Sequence, residues 1–193
     1  MQALTAWLLA GFIALSVGTA RAAELEGVKM PDTTIVDGKP LVLNGLGVRT
    51  RYGLAKVYVA GLYLPKPSND GGAVLAQDGP KRMAFQLKRD VAAQTFAKSL
   101  NEGIQERATP EQLAALKDRL ARFNDYIVSI NQVKDGDVVF LDLVPGRGTQ
   151  IVHNGQPIGE PVPGADFASA LLALFVGPRP VQDSLKAGLL GAK

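Results

Sequence analysis

The sequence predicts an α+β domain in which helices pack on one face of a large, mainly antiparallel sheet. Strand-like segments cover 43–65, 81–90 and 138–160. Apolar residues instead recur at helical spacing in two blocks, 91–129 and 165–190. Short turn signals separate neighbouring strands, which favours antiparallel pairing. The order of strands, two helices, strands and two helices therefore predicts one sheet with its helices inserted in blocks.

Composition indicates a single globular domain. A chain of 193 residues with 47% hydrophobic and 20% charged residues can bury a sizeable core. The formal net charge is +3, basic residues are interspersed with acidic ones, and no alternation of basic and aromatic residues marks a stacking surface. We therefore expect no nucleic-acid partner. The sequence does not identify a protein partner.

Cysteine and histidine usage narrows the possible chemistry. The chain has no cysteine, which excludes disulfides and thiolate chemistry. His153 is the single histidine, so we expect neither a histidine-based metal site nor a Ser-His-Asp triad. It precedes the hairpin-turn signal Asn154-Gly155, and we interpret it as a solvated residue beside a turn rather than a base. We expect no metal and no cofactor.

Residues 1–22 are predicted to be an export signal. Leu4–Ala20 is an apolar run rich in small residues, too short to favour a membrane span, and Ala20-Arg21-Ala22 is a small-x-small cleavage site. Cleavage between Ala22 and Ala23 would leave one domain, 23–193, in the periplasm or outside the cell, with no membrane span. The alternative is a retained membrane anchor.

The rest of the chain is organised around Leu43–Pro65, which is predicted to form two strands joined by a tight turn at Tyr52-Gly53. In the second strand, Lys56 and Tyr58 are expected to point to the same face. That face carries an ammonium and a phenol among small and apolar groups.

The first of these two strands places Arg49 and Arg51 on one face. If Arg49 and Tyr58 converge beneath a helical cover, they form the polar end of an otherwise apolar pocket. Arg51 and Lys56 are interpreted as rim residues, because long cationic side chains usually extend to water.

The guanidinium of Arg49 stays cationic and can hold a carboxylate or an enolate through two hydrogen bonds, while Tyr58 supplies one further donor. A buried arginine needs an anion, an internal acid or water. The alternative interpretation is therefore structural: Arg49 pairs with an acid such as Asp90 or Asp142, and Tyr58 covers the core.

The remaining segments of the first half support the sheet. Residues 23–40 read as a polar lead-in with one short strand, Thr33–Val36, expected at a sheet edge. Residues 65–80 are rich in Gly, Pro, Asp and Asn and are predicted to be a loop with one helical turn near 73–77. A further strand follows from Lys81.

The two middle helices have clear signals. Phe96, Leu100 and Ile104 lie four apart in 91–107 and are interpreted as core. Thr109 opens the second helix with an N-cap, a proline at the first helical position and a capping-box glutamine at position 112. This helix is expected to run to about Ser129.

The second half repeats the pattern of strands followed by helices. A strand is predicted over 138–144, and a hairpin over 149–153 and 156–160 through Asn154-Gly155. A helix over 165–176 is apolar nearly all round and should be buried on several sides. A final amphipathic helix is predicted over 181–190.

Three separated motifs carry a resemblance to a known family. They are GVR at 47–49 followed by KVYVAGLYLP at 56–65, PGRGTQIVHNGQPIG at 145–159, and ADFASALLALFVGPRPVQDSLKAGLLG at 165–191. In this order they resemble the exported bacterial branch of the chalcone isomerase-like family, over roughly 41–191. The resemblance implies an open-faced β-sandwich: a large antiparallel sheet with helices across one face and a ligand cleft between the layers.

The resemblance also implies site residues. Plant members that isomerise chalcones have an arginine in the first of these strands, which Arg49 matches, and a threonine in the second, where this chain has Tyr58. The fatty-acid-binding branch has a tyrosine there, and its arginine and tyrosine hold the ligand carboxylate. The plant enzymes also have a tyrosine and an asparagine on the first covering helix. Phe96 falls near the tyrosine position, and no asparagine in 94–103 matches. Ala168 falls near the position of a further hydroxyl on the late helix.

Three functions remain open. The first is a non-catalytic exported protein that binds a small amphiphilic carboxylate, such as a fatty acid, through Arg49 and Tyr58. The second is a cofactor-free intramolecular lyase or isomerase of the chalcone isomerase type, with Arg49 stabilising an enolate or phenolate. The third is a cell-envelope interaction module with a filled cleft. The missing hydroxyls favour the first.

Overall fold

A computed structural model describes residues 22–191, which form eleven strands and five helices. The strands are β1 (Ala22–Leu25), β2 (Val28–Pro31), β3 (Thr33–Val36), β4 (Lys39–Arg51), β5 (Ala55–Leu64), β6 (Lys81–Leu87), β7 (Val91–Ala92), β8 (Gln132–Val133), β9 (Val138–Val144), β10 (Gly148–His153) and β11 (Gln156–Val162). The helices are α1 (Gly71–Ala76), α2 (Ala93–Gln105), α3 (Pro110–Ser129), α4 (Ala165–Val176) and α5 (Asp183–Leu189).

Seven strands form one antiparallel sheet in the order β11-β10-β9-β6-β5-β4-β3. The tight turns predicted between its strands are present: Tyr52 and Gly53 both have positive φ, as do Asn154 and Gly155. Two such residues in succession give the turn the twist that antiparallel strands require. The short strand β3 lies at the sheet edge, as predicted.

All five helices contribute to one apolar core on one face of this sheet. The core includes Phe123 and Phe167, whose rings meet edge to face at 5.4 Å, and the nearly all-apolar helix α4 is buried on several sides. The predicted capping box at Thr109 and Gln112 opens α3. The predicted α+β fold, an open-faced sandwich with helices on one face, is therefore confirmed. Among residues 22–191 no helix is long and apolar enough to cross a membrane.

The lead-in differs from its prediction. Residues read as a polar segment form the hairpin β1–β2, which turns at Glu26-Gly27 and packs Val28 and Met30 against the second face of the sheet. The thioether of Met30 lies where a side chain at Gly61 would stand. The predicted signal peptide, 1–22, lies outside the described residues except for Ala22.

Two predicted details of the central strands and the last helix are corrected. Arg49 pairs with Tyr58 but Thr50 pairs with Lys56, so β5 has one extra residue, Val57. This β-bulge reverses the alternation, and Lys56 lies on the opposite face from Tyr58. The last helix begins at Asp183 rather than 181, because Gln182 is held in extended conformation as its N-cap.

Helix α5 lies directly on β4. A methyl group on Gly188 would stand 2.3 Å from the carbonyl oxygen of Leu46 and 2.9 Å from the Cα of Gly47. Contact this close between a helix backbone and a strand backbone requires glycine. It fixes the distance between the last turn of α5 and β4, the strand that carries Arg49.

The substitution Gly188→Ala should therefore destabilise the protein. Alanine normally stabilises a helix by about 0.5–1 kcal/mol relative to glycine, but here its methyl group must displace α5, and we expect a net loss of about 1–3 kcal/mol in unfolding free energy. Urea denaturation measures it. The matched control is Gly72→Ala in α1, where the nearest atom is 3.2 Å away on a side chain; an equal loss in both variants would contradict close packing at α5.

Candidate functional site

A cavity of about 390 Å³ lies between the sheet and the helices at the end of the β4–β5 hairpin. The sheet supplies Arg49 and Tyr58, helix α2 supplies Phe96, and α4 supplies Phe175. Three arginines and one aspartate are among its lining residues, which otherwise are mainly apolar or carry hydroxyls. The cavity lining therefore combines a net positive charge with apolar and hydroxyl-bearing side chains.

Arg49 and Tyr58 are direct partners across the β4–β5 pair, so their side chains leave the sheet side by side. Both line the cavity. The condition stated from the sequence, that the two side chains converge beneath a helical cover, is met by this placement. Val57, the bulged residue, also lines the cavity, although its position in the alternation predicted the other face.

One nitrogen of the Arg49 guanidinium is anchored to the segment before α5. Nη1 donates to the carbonyl oxygen of Val181 at 3.1 Å and to Oε1 of Gln182 at 3.0 Å. These bonds use both hydrogens of Nη1. Nε and Nη2 have no acceptor among residues 22–191, so none of these residues occupies the edge that can hold a carboxylate with two parallel bonds.

Gln182 connects this anchor to the strand. Its Oε1 also accepts from the backbone nitrogen of Thr50 at 3.0 Å, and its Nε2 donates to the carbonyl oxygen of Val48 at 3.0 Å and to Oγ of Ser184 at 2.7 Å. One amide thus ties α5 to β4 on both sides of Arg49 and fixes the guanidinium.

The alternative ion pairs for Arg49 are absent among the described residues. Asp142 instead accepts two bonds from Arg82, at 2.5 and 2.7 Å, on the other face of the sheet. Asp90 lines the cavity, but its oxygens accept from the backbone nitrogen of Asp135 and the amide of Gln132. The structural interpretation of Arg49 as half of an ion pair is therefore wrong.

Tyr58 is 6% exposed, and its hydroxyl has no hydrogen-bond partner among the described residues. Its ring meets Phe85 edge to face at 5.2 Å, which fixes its orientation. Burial raises the pKa of the Tyr58 phenol far above its ordinary value, an effect that the charge of Arg49 opposes. The phenol therefore stays protonated and offers one donor to the cavity.

Of the two predicted rim residues, only one lines the cavity. Arg51 lines the cavity and is exposed, with Nη2 3.5 Å from the hydroxyl of Ser99. Lys56 lies outside the cavity and pairs with Glu26 in the β1–β2 turn. The bulge at Val57 separates them.

Sequence reasoning missed three polar lining residues, Thr95, Ser99 and Arg89. Thr95 and Ser99 are four apart on α2 and flank Phe96, so hydroxyls at helical spacing beside the apolar stripe were the available signal. Phe96, predicted to be core, is partly buried and lines the cavity. Ala168 does not line it.

Comparisons with known proteins identify the family and the fold. The model of the chalcone isomerase-like family matches residues 22–191. The chain belongs to the chalcone isomerase-like family. A crystal structure of a fatty-acid-binding protein from Arabidopsis thaliana has a TM-score of 0.69 and 14% identity to this chain, covering 88% of this chain and 96% of that one. At this identity, the structural match shows a shared fold and nothing more specific. No curated protein matches the chain.

In this chalcone isomerase-like protein a second, smaller cavity adjoins the first. It measures about 20 Å³, about the space of one water molecule. Tyr58, Val91 and Phe96 line both cavities. Apart from Tyr58, every lining residue of the inner cavity is a hydrocarbon, so the wall between the two is apolar and thin.

The single histidine lies outside the cavity. Nε2 of His153 is 3.0 Å from Oδ2 of Asp137, and both side chains are mostly buried, so the prediction of a solvated turn residue is wrong. Within residues 22–191 no three His, Cys, Asp or Glu side chains gather as metal ligands would. The histidine stabilises the turn before β9.

Replacing Gln182 by leucine should loosen the site from the side of α5. The backbone N–H of Thr50 and Nη1 of Arg49 would each lose an acceptor, and we expect a loss of about 1–3 kcal/mol in unfolding free energy. NMR spectra of the arginine side chains should show faster rotation of the Arg49 guanidinium. Ser184→Ala, which removes one exposed bond of the same amide, is the control; a similar effect from both would contradict the anchor.

Asp137 should make stability depend on pH. The backbone N–H of Lys134, followed by Asn154 and His153, lowers the pKa of Asp137 from 3.8 to about 2. A depressed folded-state pKa stabilises above about pH 4, and this contribution is lost as pH falls towards 2. Asp137→Asn should therefore cost about 1 kcal/mol at pH 7 and only a small part of that near pH 2. Chemical denaturation at both pH values measures this, and a pH-independent cost would contradict it.

Proposed function

We propose that this protein binds a small amphiphilic carboxylate, foremost a fatty acid, without catalysing a reaction. The carboxylate would accept two bonds from Nε and Nη2 of Arg49 and one from the hydroxyl of Tyr58. The observation behind the proposal is the pairing of an arginine edge that no described residue occupies with an adjacent, unpartnered phenol.

The electrostatics favour an anion at this point. A half-buried guanidinium without a counter-ion carries a desolvation cost that a carboxylate would offset. Arg51 and Arg89 add positive charge at the cavity against Asp90 alone. A neutral phenol beside Arg49 donates to an anion and repels none. The same groups would hold a cation or a neutral sterol poorly.

The remaining walls suit a hydrocarbon chain. A volume of about 390 Å³ lies within the range of small-ligand pockets. The inner apolar cavity lies beyond Tyr58 and Phe96, so rotation of the partly buried Phe96 would extend the site towards Leu87 and Ile127. The likeness in fold to a protein named for fatty-acid binding supports the same ligand class.

We also propose that the protein is exported. The apolar run and the small-x-small site at Ala20-Arg21-Ala22 support a chain that is cleaved before Ala23 and acts in the bacterial periplasm or outside the cell. The three motifs that resemble the exported bacterial branch of the family support the same location.

An isomerase is the second candidate, because Arg49, Tyr58 and the hydroxyls of Thr95 and Ser99 surround one cavity and could stabilise an enolate. The open cavity does not favour the third hypothesis, a module with a filled cleft. Turnover of a chalcone by the purified protein, lost in Arg49→Gln, would place the isomerase first. We expect no turnover above the uncatalysed rate.

Two substitutions test the carboxylate site directly. Arg49→Gln should weaken binding of a sixteen-carbon fatty acid by about 10–100-fold, and Tyr58→Phe by about tenfold, because each removes bonds to a charged acceptor. Isothermal titration measures both. Tyr58→Phe should leave the melting temperature unchanged, since its hydroxyl bonds no described residue.

Tyr63→Phe is the matched control. Tyr63 lies on the same strand but faces the other layer, where its hydroxyl donates to the carbonyl oxygen of Pro31 at 2.9 Å. This variant should lose stability and keep its affinity. Equal affinity in wild type, Arg49→Gln and Tyr58→Phe would overturn the proposal, as would failure of the wild type to bind any fatty acid.

A further inference from the structure

The tip of the β4–β5 hairpin exposes two large apolar side chains next to the cavity. Tyr52 is 94% exposed and Leu54 is 88% exposed. Only two other large hydrophobic residues of 22–191 are exposed, Ile35 and Val128, and neither lines the cavity. Tyr52 lines the cavity mouth itself. The two most exposed large apolar side chains of the described residues thus lie in one turn, and one of them lines the cavity.

Stability of the turn does not explain a tyrosine at position 52. Its φ is +52°, a left-handed conformation in which asparagine and glycine are favoured and bulky residues are uncommon. The side chain is almost wholly exposed, so packing offsets little of this cost. A strained and exposed aromatic residue is better explained by a surface that it contacts.

Positive charge surrounds the tip. Arg51 and Arg89 are exposed at the cavity mouth. Lys56 and Lys88 lie beside it and contact Glu26, the first through the carboxylate and the second through the backbone oxygen. Glu26 offsets one of these four cations, and Asp90, an exposed residue of the cavity lining, offsets another. The surroundings of the tip, here called the rim, therefore keep two net positive charges.

We propose that this tip docks on an anionic lipid bilayer. Tyr52 and Leu54 would insert at the boundary between headgroups and acyl chains, and the rim cations would contact lipid phosphates. The cavity mouth would then face the membrane. Docking depends on the rim alone and stands whether or not the cavity holds a fatty acid.

A bilayer fits the tip better than a second protein does. Stable protein interfaces bury about 1,200–2,000 Å², far more than two side chains on a narrow hairpin offer. A small apolar wedge surrounded by cations is instead sufficient for a charged lipid surface, because each basic residue adds attraction to anionic headgroups.

Flotation with vesicles tests docking. The protein is used in the form in which the expression host produces it, whether or not the predicted signal peptide has been removed. The vesicles are phosphatidylcholine alone or with one-third phosphatidylglycerol. Wild type should bind the vesicles with phosphatidylglycerol about tenfold more tightly than those of phosphatidylcholine alone. The double variant Tyr52→Asn/Leu54→Ser should lose about tenfold on the same vesicles while folding normally, because asparagine suits the left-handed turn. Arg51→Gln/Arg89→Gln should remove most of the preference for anionic lipid.

Tryptophan reporters locate the contact. The chain has one tryptophan, Trp7, within the predicted signal peptide, so spectra are taken as differences from the parent protein. In Tyr52→Trp the added emission should shift to shorter wavelength on anionic vesicles. The control is Ile35→Trp, 69% exposed on β3 and about 35 Å away along β4; its emission should not shift.

Three results would overturn the proposal. The first is equal vesicle binding by wild type and Tyr52→Asn/Leu54→Ser, which would assign any binding to another part of the chain. The second is no binding to anionic vesicles by either protein. The third is a wild-type dimer that the double variant converts to a monomer without vesicle binding, which would make a second copy the occupant of the tip.

Discussion

The pairing of Arg49 with Tyr58 across β4 and β5 is the constraint on which the site depends. The register makes the two side chains neighbours, and the bulge at Val57 turns Lys56 away from them. Gln182 then holds one nitrogen of the guanidinium from α5, whose close approach to β4 requires glycine at position 188. Strand pairing, bulge and helix packing together leave one edge of Arg49 without an acceptor among the described residues.

The two faces of the sheet differ in how their polar side chains are satisfied. On the face towards β1–β2, Arg82 is paired with Asp142 and stacks on the Phe140 ring at 4.2 Å, and Tyr63 donates to a backbone oxygen. On the helical face, Arg49 has no acid and Tyr58 has no acceptor among the described residues. The same residue types in one sheet are satisfied internally on one face and, among the described residues, left open on the other.

The features that the sequence predicted are those set by local pattern. The turns at Tyr52-Gly53 and Asn154-Gly155 and the capping box at Thr109 depend on residues close in the chain, and they were predicted correctly. The bulge at Val57 was not, because an extra residue in one strand is defined only against its partner. Likewise Gln182 lies 133 residues from Arg49, and no local pattern joins them.

A crystal structure of the protein with a bound long-chain fatty acid would show directly which groups hold the carboxylate. We expect carboxylate oxygens about 2.7–2.9 Å from Nε and Nη2 of Arg49, a hydrogen bond from the hydroxyl of Tyr58, and the acyl chain against Phe96. A carboxylate bound elsewhere, or an Arg49 edge occupied by an acidic side chain of the protein, would contradict this expectation.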